Sequence, residues 1–166
     1  MNLKNSSLKT QSWLKSFLSA EPEYLALVKA REGLVLKWYK DSLGKLTAGY
    51  GHLQRPQDVG VVVTKEVAEK WLKEDIQIAL SAAEKQAGEL PFVTPELFEV
   101  LVSVNFQLGT AWTSKFKNTW ALLKAGQYDK AAAESENSLW AKQTPVRVRD
   151  LQRALWRASV LGADVS

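Results

Sequence analysis

Residues 32–53 constrain the fold more than any other stretch of the chain. The helical pattern that runs up to Glu32 meets Gly33, a plausible residue for a helix C-terminus. Val35–Tyr39 then has the composition of a strand, and Asp41-Ser42-Leu43-Gly44 is turn chemistry. Lys45–Leu53 alternates with period two and reads as a second strand, with Thr47, Gly49 and Gly51 on one face and Leu46, Ala48 and Tyr50 on the other. A helix must therefore stop directly against a small antiparallel hairpin. That junction gathers Glu32, Asp41 and Thr47 at spacings of nine and six.

The rest of the chain reads as helix. Pro22 and Glu23 open a helix whose apolar face is Tyr24, Leu25, Leu27 and Val28. Gln54–Gly60 is a loop. Thr64 caps a helix through Trp71, Leu72, Ile76 and Leu80 to near Gly88. Thr94-Pro95-Glu96 opens a helix that is apolar nearly all round from Leu97 to Leu108, and so should be buried. Further helices are expected at about 114–125, 128–137 and 145–161. This order predicts an α+β fold, mostly α, in which a small antiparallel β lobe faces a helical bundle. Ligands favour the cleft between such lobes. Residues 1–20, with Trp13, Leu14, Phe17 and Leu18, read as an N-terminal extension carrying a short amphipathic helix, and residues 21–166 as one domain.

Composition narrows the chemistry. There is no cysteine, which excludes disulfides, thiolate nucleophiles and cysteine metal sites. His52 is the only histidine, a poor basis for a metal site, and a hydrogen bond to Asp75 is the better reading. No metal or cofactor is expected. The net charge of +4 favours polyanionic partners without choosing among them. Part of that excess is local: Lys142, Arg147, Arg149, Arg153 and Arg157 outnumber Asp150 and Asp164 beyond Trp140. No basic groove motif supports nucleic-acid binding. No segment is apolar enough to span a membrane, and the N-terminus lacks the apolar run of a secretory signal.

Two carboxylates with a nearby hydroxyl suit the hydrolysis of a glycosidic bond. One carboxyl must deliver a proton to the leaving oxygen while the other stays ionised. Glu32 at a helix C-terminus, facing exposed carbonyls, is the natural proton donor. Asp41, in a turn beside Lys40, is the natural anion.

The motif Glu32-Gly33-Leu34, with Tyr39-Lys40-Asp41, Gly44, Thr47, Gly49 and Gly51-His52-Leu53, resembles the active-site region of the phage-type lysozymes, the endolysins related to T-even phage lysozyme. Thr64-Lys65 with Asp75, Phe106-Gln107-Leu108-Gly109, and Gln143-Thr144-Pro145 with Arg147 extend the resemblance in the same order over about residues 24–150. The resemblance implies a peptidoglycan hydrolase, a muramidase cutting the β-1,4 bond between N-acetylmuramic acid and N-acetylglucosamine, with inversion. By matching, Glu32 would be the general acid, Asp41 would stabilise charge or help activate water, and Thr47 would hold the attacking water. Leu53, Phe106 and Thr119 would line the sugar-binding cleft. The implied partner is peptidoglycan, met by a monomer without a cofactor. Delivery would be from the host cytoplasm by a holin-type partner, or through a secretion or virion apparatus.

The chain departs from the family pattern in three places. It carries the extension before its first family helix, its loop between His52 and Thr64 is short, and Glu134 stands where a neutral polar contact to substrate is expected. Two alternatives remain at this level: a lytic transglycosylase, and a non-catalytic wall-binding relative. Trp71, Trp120, Trp140 and Trp156, at helical spacing, read as core. Arg147 and Arg149 read either as contacts to peptide-stem carboxylates or as a solvated helix start.

Overall fold

The computed structural model describes residues 21–165. The helix expected within residues 1–20 lies outside them. α1 (Glu23–Glu32) starts where the Pro22 carbonyl accepts the Leu25 N–H at 3.0 Å. It stops at Gly33, whose φ of 71° turns the chain while its N–H still returns to the Lys29 carbonyl. Glu32 is therefore fixed as the last helical residue.

β1 (Val35–Lys40), β2 (Leu46–Gly49) and β3 (His52–Leu53) form one antiparallel sheet in the order β1-β2-β3. Thr47 lies in the middle strand, opposite Tyr39 on β1 and Leu53 on β3. The single strand expected over Lys45–Leu53 is thus two strands and a tight turn. Gly49 and Gly51 flank Tyr50 with φ of 66° and 70°, and this left-handed backbone ends the period-two alternation. The face expected to carry Leu46, Ala48 and Tyr50 is not uniform in burial: Leu46 is 39% exposed whereas Ala48 and Tyr50 are buried.

The helical lobe follows a short 3-10 turn at Pro56–Asp58. It comprises α2 (Lys65–Gly88), α3 (Pro95–Leu108), α4 (Trp112–Lys115), α5 (Lys117–Lys124), α6 (Tyr128–Ser135), α7 (Leu139–Gln143) and α8 (Pro145–Val165). Thr64 and Thr94 cap α2 and α3 as expected, accepting from the Val67 and Leu97 amides. The single helix expected at 114–125 is broken at Phe116, whose ψ of 59° interrupts it. α7 is additional to the helices expected from the sequence. It has five residues, too few to show a period, and is held by the Ser138 hydroxyl accepting from the Ala141 amide.

Two apolar clusters correspond to the two lobes. Ala48, Val63 and Trp71, with Trp38 and Val61 against them, fill the small one. α3 runs through the centre of the large one, burying Leu97, Leu101, Val102 and Val104 among Leu72, Ile76, Leu123, Leu151 and Leu155. Each such side chain stabilises the fold by roughly 1.5–3 kcal/mol relative to exposure. α2 belongs to both clusters, through Trp71 in one and Leu72 and Ile76 in the other, and so ties the lobes together. Trp71, Trp120 and Trp140 are core, as expected. Trp156 is not: it is 52% exposed.

Candidate active site

Glu32 sits where the two lobes meet. Its Oε1 accepts a hydrogen bond from Arg147 Nη2 at 2.6 Å, and Arg147 also donates through Nη1 to the Ser103 carbonyl. The other carboxylate oxygen faces the hairpin. A Cβ placed on Gly51 would lie 2.6 Å from Glu32 Oε2, so this approach requires glycine. The catalytic candidate is therefore held from the helical lobe by a guanidinium and approached from the sheet lobe by bare backbone.

A second ion pair lies beside the first. Arg31 Nε and Nη2 donate to Asp150 Oδ2 and Oδ1 at 2.6 and 2.8 Å, a two-pronged clamp between α1 and α8. This bond raises the affinity of Arg31 for its proton. Arg147 is only 6% exposed. It is neither a solvated helix start nor open to peptide carboxylates, because its partner is Glu32. The sequence shows Arg147 and Asp150 only as members of a basic helix. Their spacing of three, matched to adjacent Arg31 and Glu32 of opposite charge, is the signal that could have found the double clamp.

Asp41 organises the turn between β1 and β2. Its Oδ1 accepts from the Leu43 and Lys45 amides, both at 2.9 Å, and among the described residues Oδ2 has no partner. Thr47 is 4% exposed and donates its hydroxyl proton to the Lys45 carbonyl at 3.0 Å, which leaves the oxygen able to accept. Leu53, half exposed, stands opposite Thr47 on the sheet. Phe106 lies near the end of α3, packed on the large core. Thr119 is buried on α5 and lines a cavity of about 430 Å³ with Glu134, Lys115, Lys117 and Asn137. So Leu53 adjoins the hairpin candidates, and Thr119 joins Glu134 on the helical side.

His52 is 2% exposed, stacks on Trp71 at 4.3 Å, and places Nδ1 against Asp75 as expected. Its Nε2 meets Asp58 at 2.8 Å, a partner the sequence reading missed because Asp58 looked like an ordinary loop residue. The Arg55 guanidinium holds the Asp58 carboxyl well below the usual carboxylate range, with help from His52. This cluster pins the short loop to the sheet. Lys29 bridges to Glu69 at 2.9 Å and holds that carboxyl below its usual range, while Tyr50 donates to the same carboxylate. The hairpin tip is thereby tied to α1 and α2.

The phage lysozyme family model matches residues 29–155, from the second half of α1 well into α8. This chain belongs to the phage lysozyme family. It is similar to the endolysin of Acyrthosiphon pisum secondary endosymbiont phage 1, at 33% identity over 144 residues, which is 81% of this chain and 95% of that protein. It is also similar to the probable T4-type lysozyme 2 of Dictyostelium discoideum, at 26% identity, covering 73% of this chain and 86% of that one. The peptidoglycan hydrolase gp36 of Pseudomonas phage phiKMV is 32% identical over 66% of this chain, but over only 12% of its own length. The enzyme is a lysozyme, a glycoside hydrolase of the bacterial cell wall. No helix among the described residues is long and apolar enough to cross a membrane.

Proposed function

We propose that the enzyme is a muramidase that hydrolyses the β-1,4 bond between N-acetylmuramic acid and N-acetylglucosamine with inversion. Glu32 gives its proton to the leaving oxygen. Thr47 accepts a hydrogen bond from the attacking water, and Asp41 helps activate that water and stabilises positive charge at the anomeric carbon. Inversion needs room for a water between the two carboxyl groups. Leu53, Phe106 and Thr119 line the sugar path. The enzyme acts as a monomer without a cofactor, and a holin-type partner or a virion or secretion apparatus brings it to the wall.

The observation that carries this reading is the setting of Glu32. Its carboxylate is pinned by Arg147 on one side and met by Gly51 of the hairpin on the other. Asp41 and Thr47 belong to the same three-stranded sheet, Asp41 in its β1–β2 turn and Thr47 on its middle strand.

The test is a turbidity assay on outer-membrane-permeabilised cells, with Glu32→Gln beside the unaltered enzyme. A loss of at least about a hundredfold is expected from removing a general acid. Analysis of the released ends should find reducing termini. Anhydro sugars instead would mean transglycosylation, and equal lysis by both proteins would remove Glu32 from the chemistry.

A further inference from the structure

A second groove lies on the outer face of α8, among Glu136, Ala141, Pro145, Arg149, Arg153 and Trp156, with a volume of about 230 Å³. Arg149, Gln152, Arg153 and Trp156 follow the i, i+3, i+4, i+7 spacing of one helical face. Arg147, Asp150, Leu151 and Ala154 face inward and are buried, and Gln152 is buried at the base of the groove.

Three features of this groove are unexplained by folding. Trp156 is 52% exposed, an unusual place for the largest apolar side chain. Arg149 and Arg153 stand four apart on one face, a like-charge spacing that weakens a helix. Among the described residues neither has a carboxylate within 4.0 Å, whereas on the same helix Arg147 pairs with Glu32 and Arg157 with Glu96. Glu136 lines the groove without pairing with either arginine. One of its oxygens accepts from Gln152 Nε2 at 2.6 Å, and Gln152 is anchored in turn to the Ala132 carbonyl. Opposite charges thus share a concave site without neutralising each other.

We propose that this groove is an accessory binding site for the uncrosslinked peptide stem of peptidoglycan. The proposal rests on the wall-hydrolase reading. A stem carboxylate is held between Arg149 and Arg153. The ammonium of its diamino residue meets the remaining Glu136 oxygen, and the alkyl chain lies on Trp156. Two arginines are too few for a lipid surface, which is read by clusters of about 4–8 cationic residues. Glu136 repels a polyphosphate and suits a zwitterion. The site would keep the enzyme on the wall between cuts without touching the reacting bond.

The test titrates the ¹⁵N-labelled full chain with a synthetic stem tetrapeptide containing diaminopimelate, with the indole N–H resonance identified through Trp156→Phe. The Trp156 indole and the outer amides of α8 should shift. Arg149→Gln with Arg153→Gln should weaken binding by at least about tenfold, as should amidation of the peptide carboxylates. Shifts confined to the inter-lobe cleft, no shift at millimolar peptide, or an unchanged response in the double variant would overturn the proposal. Equal shifts with inorganic phosphate or with anionic phosphatidylglycerol vesicles would also overturn it. Because binding is read without turnover, its failure is separate from failure of the Glu32→Gln wall assay.

Discussion

Replacing Arg31 by methionine should separate the clamp from the rest of the α1–α8 contact. Arg31 meets Asp150 in a two-pronged bond of 2.6 and 2.8 Å, with the Asp150 side chain 9% exposed and Arg31 28%. Two unit charges about 4 Å apart attract by roughly 4 kcal/mol at an effective dielectric of about 20. Desolvation offsets much of that in the intact pair, but Arg31→Met leaves Asp150 charged, nearly buried and alone. Breaking a fully buried pair costs about 3–5 kcal/mol, and the partial exposure of Arg31 lowers this to about 2–3. For a chain of this length the melting temperature should fall by about 5–10 °C. Asp150→Asn should cost less, about 1 kcal/mol, because the stranded guanidinium can still reach water. Urea unfolding of Arg31→Met, Asp150→Leu and Arg31→Met/Asp150→Leu forms a double-mutant cycle. The double variant should be more stable than Arg31→Met. A loss under about 0.5 kcal/mol for Arg31→Met, or strictly additive effects, would refute the claim that the clamp couples the two helices. The neighbouring Glu32–Arg147 pair joins the same helices, so Arg31→Met should also slow wall lysis at temperatures where the variant stays folded.

Further outcomes follow from other parts of the structure. Gly51→Ala would set a Cβ 2.6 Å from Glu32 Oε2 on a backbone with φ of 70°, so lysis should fall at least about tenfold and stability by about 1–2 kcal/mol, read by the turbidity assay and thermal melts. Asn105→Ala removes both of the reciprocal bonds to Gln86, at 3.0 and 2.7 Å, and leaves the buried Gln86 amide without that partner; urea unfolding should show a loss of about 2–3 kcal/mol. Asp58 takes up its proton less readily in the folded chain than in the unfolded one. Below about pH 4 the unfolded state therefore binds more protons, and the stability present above that pH is lost as pH falls. Melting temperature should drop more steeply over that acid range in the unaltered enzyme than in Asp58→Asn.

Local patterns carried most of the architecture. Gly33, Thr64 and Thr94 mark helix ends through backbone geometry and capping that act within a few residues, so they were legible one at a time. The buried α3 was legible because a helix apolar on every side has no other place to go. Reading failed where distance in sequence hid proximity in space, or where an element was too short to show a period. The Gly49–Gly51 turn was absorbed into a strand because alternation continues through residues that the backbone reverses. Phe116 breaks a helix that spacing alone would continue. Trp156 shares the helical spacing of the core tryptophans, and only the packing around α8 shows that its face is left open.

By itself the sequence determined that a helix must end at Glu32 against a glycine-rich hairpin bearing Asp41 and Thr47, because capping, turn chemistry and strand alternation are local. Tertiary structure alone decided which charges meet. Arg147 and Asp150, more than a hundred residues away, reach Arg31 and Glu32 only when α8 docks on α1. Ion pairing depends on separation in space and on exclusion of water, and neither is written in the order of residues along the chain.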